Sequence, residues 1–124
     1  MNPDDLRYHK EHTWVKASGR KVTIGITDYA QHSLGEITFV ELPAAKKQLK
    51  AHDVVAVVES SKAASDVYSP IAGVVTEANS QLSSKPELIN QDCYNAWLCK
   101  LKVASPDTKN LMNAAQYEEY LKTI

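Results

Sequence analysis

Apolar positions in this chain fall in short clusters, several at period two, separated by Gly, Pro, Ser and Asn. That is the pattern of a small β protein with brief helices between strands. Trp14-Val15 leads to a turn at Ser18-Gly19, and Val22, Ile24 and Ile26 then alternate with Thr23 and Gly25, which predicts a hairpin over residues 12–26. Thr27 is suited to cap a short helix over residues 28–34, with Asp28 in its first turn and Gly35 as its stop. Residues 37–42 read as a strand with Ile37 and Phe39 on one face, ended by Pro43. Residues 44–52 carry Lys46, Lys47 and Lys50 and read as a solvated loop.

The next segment is the most informative. Val54-Val55-Ala56-Val57-Val58 is a β-branched run, and Val67-Tyr68 resumes strand chemistry before Pro70. Between them Ser60, Ser61, Ala63, Ala64 and Ser65 surround Lys62, with nothing bulky enough to cover an ammonium group. A tight hairpin with Lys62 at its tip is predicted. Residues 70–73 read as a turn, residues 74–78 as another strand, and residues 79–90 as a turn-rich stretch with a helical turn at Pro86-Glu87-Leu88. Residues 94–103 read as strand, with Trp97, Cys99 and Leu101 opposite Leu98, Lys100 and Lys102. Ser105-Pro106-Asp107 has the form of a helix start, and Asn113-Ala114-Ala115-Gln116 repeats capping-box logic. Leu111, Ala115, Tyr117, Leu121 and Ile124 make a loose apolar stripe on this tail. The valine runs before and after Lys62 suggest two similar half-motifs joined at the hairpin.

Length changes the picture only by bounding it: 124 residues at 44% hydrophobic suit a single domain spanning residues 1–124 without disulfide or metal staples. The net charge of −1 leaves no electrostatic footprint for nucleic acid or an anionic membrane. The longest apolar run is far short of the roughly 20 residues that span a bilayer. The N-terminus has neither an apolar signal region nor an Arg-rich presequence, so the expected location is cytoplasmic. Cys93 and Cys99 have neither CxxC nor zinc-site spacing, and two small hydrophobes is the favoured reading over a disulfide or a resolving thiol.

Lys62 is the candidate for chemistry. A hairpin-tip lysine is ordinarily just solvated, but Glu59 and Asp66 would ring the base of this tip without pairing tightly to the amine, leaving it attackable. An ordinary lysine is protonated at neutral pH, so an acylating enzyme would have to bring its own base. A Ser–Lys dyad using Ser60 or Ser61 needs a desolvated lysine, and no bulky apolar residue is near enough in sequence. His9, His12, His32 and His52 are scattered and show no metal-site spacing, and the four glycines form no phosphate-cradling loop. With no nucleophile, base and oxyanion set in view, a carrier is more plausible than a catalyst.

Many segments, in order, resemble the H proteins of the glycine cleavage system, a family of lipoyl carriers. They are Lys10-Glu11-His12-Thr13-Trp14-Val15, Gly25-Ile26-Thr27-Asp28-Tyr29-Ala30-Gln31, Leu34-Gly35-Glu36, Phe39-Val40-Glu41-Leu42-Pro43 and Val57-Val58-Glu59-Ser60. Lys62-Ala63-Ala64-Ser65-Asp66, Pro70 with Gly73, Pro86-Glu87-Leu88-Ile89-Asn90 and Trp97-Leu98 complete the set. The resemblance implies a mainly β fold, a lipoyl/biotinyl-type flattened β-barrel sandwich with short helices and a helical C-terminal extension. It implies covalent lipoate on Lys62 as N6-lipoyllysine, with Glu59 and Gly73 presenting the lysine to the lipoylation machinery. Implied partners are a lipoate ligase or lipoyltransferase, a pyridoxal-phosphate glycine decarboxylase, a tetrahydrofolate-dependent aminomethyltransferase and dihydrolipoamide dehydrogenase. The protein itself would be non-catalytic.

Departures from the family pattern bear on pathway. Ser61 stands where valine usually precedes the lysine, and His52-Asp53 replaces the usual Gly-Asp, so a φ > 0 turn is expected to be remodelled. Asp92-Cys93-Tyr94-Asn95-Ala96-Trp97 is shorter than the usual stretch and lacks its proline and glycines. H-like carriers also serve other pathways, such as heterodisulfide-reductase-like sulfur oxidation, where extra thiols would be less surprising. The match around Tyr29 and Phe39 favours glycine cleavage. The absence of flanking methionines disfavours biotin.

Overall fold

The computed structural model describes residues 3–104 and 111–124. The predicted helix start at Ser105-Pro106-Asp107 lies outside these residues. The strands are β1 (Arg7–Tyr8), β2 (Thr13–Ser18), β3 (Lys21–Ile26), β4 (Ile37–Glu41), β5 (Gln48–Leu49), β6 (Val54–Ser60), β7 (Ala64–Tyr68), β8 (Gly73–Ala78) and β9 (Cys99–Lys102). The helices are α1 (Asp28–Leu34), α2 (Gln81–Ser84), α3 (Leu88–Gln91) and α4 (Ala114–Leu121). Among the described residues the strands form a six-stranded sheet in the order β1-β2-β3-β9-β8-β5 and a three-stranded sheet in the order β4-β6-β7. This is the predicted mainly β sandwich.

The two sheets share one apolar core. Val15, Val22, Ile24, Val75 and Leu101 come from the larger sheet, and Ile37, Val40, Val55, Val58 and Val67 from the smaller. The valine runs around Lys62 thus end in opposite sheets, β6 in one and β8 in the other. A second cluster of Leu6, Tyr8, Trp14, Ala114 and Tyr117 seats the C-terminal helix. Among the described residues no helix is long and apolar enough to cross a membrane.

Local chemistry set several boundaries as expected. The Thr27 side chain accepts from the Ala30 amide at the start of α1, and Gly35 ends the helix at φ +80° with its amide on the Gln31 carbonyl. The Asn113–Gln116 capping box opens α4. Other expectations are corrected. A bulge between Ile37 and Phe39 turns Phe39 out of the core, so Ile37 is buried while Phe39 is 48% exposed. Residues 44–52 are not all solvated loop, because Gln48 and Leu49 pair with Val74 and Gly73 at the sheet edge and Leu49 is buried. The last strand begins only at Cys99, because Asn95 and Ala96 are held in a turn whose amides donate to the Asp92 carbonyl. Leu98 is consequently buried and Trp97 only half-buried, so the expected alternation holds only from Cys99 onward, where Cys99 and Leu101 are buried and Lys102 is exposed. In the tail Ala114 rather than Ala115 faces inward, and Ile124 is exposed.

Candidate functional site

The β6–β7 hairpin keeps antiparallel register to its tip, with Val57 opposite Asp66, Val58 opposite Ser65 and Glu59 opposite Ala64. One hydroxyl organises the turn. Ser60 Oγ accepts from the Lys62 and Ala63 amides, both at 3.2 Å, and donates to the Ala63 carbonyl at 3.1 Å. The Ser60 amide donates to the same carbonyl at 2.8 Å. Small polar residues at this tip therefore form a hydrogen-bonded turn.

The tip is also docked. The Ser61 amide donates to the Glu36 carbonyl at 3.2 Å, which ties it to the corner between α1 and β4. Lys62 is exposed, and its stem passes over Gly35: a Cβ added there would lie 3.2 Å from Lys62 Cε and 3.5 Å from Nζ. With φ +80° and ψ −148°, Gly35 also occupies a region essentially confined to glycine. Among the described residues no carboxylate lies within ion-pairing distance of Lys62. The amine is in solvent, on a stem that rests on backbone.

That corner is clamped from below by Asn90, a residue whose role the sequence did not reveal. Asn90 Oδ1 accepts from the Ile37 amide at 2.8 Å, and its Nδ2 donates to the Gly35 carbonyl at 2.8 Å and to Gln31 Oε1 at 2.9 Å. Gln31 in turn donates to Asp28 Oδ1. The only signal in the sequence was the position of Asn90 inside a matched segment.

Glu59 lies next to the tip and exposed, between Phe39 on β4 and Ala64 on β7, and its carbonyl accepts from Thr38 Oγ1 at 3.3 Å. Glu41, Val57 and Asp66 form the next row across the three strands. Opposed residues share a face, so the outer surface beside Lys62 combines the exposed Phe39 with three exposed carboxylates. Gly73 is not brought to this surface. It opens β8, four residues beyond Ser69 at the opposite end of the hairpin, where a Cβ would come 2.9 Å from the Lys102 carbonyl and from Val103 Cγ1. Packing therefore demands glycine there, and a part in presenting the lysine rests on the resemblance alone.

Cys93 and Cys99 are buried free thiols, as small hydrophobes should be, and burial pushes both up to about 12. The tail docks through Tyr117, which stacks on Tyr8 with ring centres 4.9 Å apart. Its hydroxyl lies 2.8 Å from Thr27 Oγ1 and 2.7 Å from His12 Nδ1. Because Thr27 Oγ1 already accepts from Ala30, the chain is satisfied when Thr27 donates to Tyr117 and Tyr117 donates to neutral His12. Burial lowers the pKa of His12 below the ordinary histidine value, in keeping with that state. The turn at His52-Asp53 is not remodelled, since His52 itself takes φ +74°.

Comparison with known proteins agrees with this arrangement. The family model described as Glycine cleavage H-protein matches residues 6–124. The chain is 52% identical over 123 residues to the glycine cleavage system H protein of Nitrosospira multiformis, covering 98% of this chain and 95% of that one. It is 48% identical to the protein of the same name from Thiobacillus denitrificans, covering 98% and 95%. The crystal structure of a glycine cleavage system H protein from Mycobacterium marinum superposes with a TM-score of 0.90 at 28% identity, covering 98% of this chain and 99% of that chain. On this match in sequence and fold, the chain belongs to the glycine cleavage H-protein family.

Proposed function

We propose that this chain is the lipoyl carrier of a glycine cleavage system, acting as one domain with lipoate attached to Lys62 and having no catalytic site of its own. The observation that carries the reading is Lys62 itself, an exposed, unpaired amine on a hydrogen-bonded tip in a chain of this family. The residues present fit the group: Ser61, Ala63 and Ala64 leave the amine open to an acylating enzyme, and Gly35 leaves room for its stem. Bound there, lipoate would supply a disulfide-containing ring able to take up the aminomethyl group released by glycine decarboxylase and pass it to a tetrahydrofolate-dependent aminomethyltransferase, with dihydrolipoamide dehydrogenase restoring the ring.

The chain contributes position. Amide formation removes the lysine charge, and a tip held by Ser60 and Glu36 fixes where the arm is rooted. Tethering replaces free diffusion of the carried group with a high effective concentration at each partner. Phe39, Glu59 and Asp66 beside the root offer an apolar anchor with an acidic rim to a lipoate ligase or lipoyltransferase and to the system's enzymes. The alternative of sulfur carriage drew on Cys93 and Cys99, and their burial in the core removes that support.

Glycine–bicarbonate exchange with a glycine decarboxylase tests the reading. The lipoylated protein should support exchange, and Lys62→Arg, put through the same lipoylation, should not. Fully lipoylated wild-type protein that fails to support exchange would overturn the pathway.

A further inference from the structure

His52 is more than forty positions from His9 and Glu11, and spacing gave no reason to group the three. In the fold the turn between β1 and β2 carries the first two to the turn that enters β6, which carries the third. Their ligating atoms all lie within 4.8 Å of one another. Glu11 Oε1 is 3.5 Å from His9 Nδ1 and 3.6 Å from His52 Nδ1, and the two rings meet edge-on with centres 5.5 Å apart. Donor atoms on one tetrahedral zinc ion at about 2.0–2.1 Å lie roughly 3.3 Å from each other, so two edges of the triangle are already near ligation distance.

The hydrogen bonding points the same way. The Glu11 amide donates to His9 Nδ1 at 3.1 Å, so that nitrogen presents a lone pair. It has no proton to give the Glu11 carboxylate, and two acceptors face each other across 3.5 Å. A cation between them turns an unfavourable contact into ligation, and the amide it displaces belongs to an exposed residue within reach of water. His52 adds a third ligand from a left-handed backbone position (φ +74°), where residues other than glycine are uncommon and glycine is unstrained.

We propose that His9, Glu11 and His52 bind one first-row divalent metal ion of the zinc class, clipping the β1–β2 turn to the entry of the lysine-bearing hairpin. Two imidazoles and one carboxylate are the donor set such ions prefer over calcium or magnesium. A hollow of about 470 Å³ lined by His9, Lys10, His52, Met112 and Tyr120 leaves space for water as the remaining ligand. Lys10 shares that hollow, and its charge opposes the cation, which weakens binding. The site sits at the base of β6, about 20 Å of strand away from Lys62, and the proposal does not rest on the carrier reading. Competing donors are few among the described residues: His12 is engaged by Tyr117, both cysteines are buried, and His32 has only Asp28 beside it.

The test is calorimetric titration of tag-free, chelator-treated protein with zinc chloride, backed by the visible spectrum with cobalt(II). One equivalent should bind with micromolar affinity and raise Tm. Glu11→Gln and His52→Gly should each weaken binding at least tenfold and abolish the Tm rise, while His32→Ala binds as wild type. His52→Gly suits the backbone at that position, so its loss of binding would not reflect misfolding, which circular dichroism would confirm. Absence of saturable binding by the wild-type protein, unchanged binding by His52→Gly, or calcium binding as tight as zinc would each overturn the proposal.

Discussion

Replacing Asn90 by alanine removes three hydrogen bonds together, those to the Ile37 amide, the Gly35 carbonyl and Gln31 Oε1. Each contributes roughly 0.5–1.5 kcal/mol net, so the loss should be about 2–4 kcal/mol. Against a domain stability of about 5–15 kcal/mol the variant still folds. With a urea dependence of about 1–3 kcal/mol per molar, its unfolding midpoint should fall by about 1–2 M with little change in slope. Hydrogen exchange at the Ile37 amide should accelerate more than exchange at amides of β2 and β3, because the corner loosens before the sheet does. Asn90→Asp sharpens the assay. Its carboxylate keeps the acceptor for Ile37 but sets negative charge against the Gly35 carbonyl, raising its folded-state pKa above the unfolded value. Stability of that variant should therefore be highest in acid and fall as pH rises through the folded pKa. A loss under about 0.5 kcal/mol for Asn90→Ala would refute the clamp.

Three further outcomes follow from the geometry. Gly73→Ala should lose about 1–3 kcal/mol through its contact with the Lys102 carbonyl, yet be lipoylated at the wild-type rate once folded; a slowed rate at unchanged stability would restore a presenting role. Burial raises the pKa values of Tyr8 and Tyr94, and that of Tyr117 to about 12, so their stabilising contribution is complete below the unfolded tyrosine value and is lost as pH rises from about 10. Thermal melts should show Tm dropping above that pH, and ionisation of all six tyrosines of the native protein at the ordinary tyrosine pKa would contradict it. Cys93 and Cys99 should resist alkylation in the native protein and react on unfolding, and rapid native labelling would refute their burial.

What was legible in the sequence was what local chemistry decides. Thr27 and Gly35 bound α1, Asn113 and Gln116 open α4, and the small residues around Lys62 make its turn, all through contacts within a few residues. What was missed depends on distant partners. Phe39 faces outward because β4 meets β6 with a bulge, and Leu49 leaves the loop because the edge of the larger sheet accepts it. Cys99 rather than Tyr94 begins the last strand because the preceding residues are spent in a turn. For the candidate site, the exposed position of Lys62 at the tip with Glu59 beside it was readable from the flanking residues. The support beneath the lysine was not, because Asn90 reaches Gly35 across 55 positions. The approach of His52 to Glu11 likewise exists only once β1 and β6 are folded together.

The proposed function stands on Lys62 as the attachment point. Incubation with lipoate, ATP and a lipoate ligase, followed by intact-mass measurement and peptide mapping, tests it most directly. One lipoyl group per chain should appear, mapped to Lys62, and none on Lys62→Arg that melts like the wild-type protein. Modification at another lysine, or an unmodified chain where a control H protein is fully lipoylated, would contradict it.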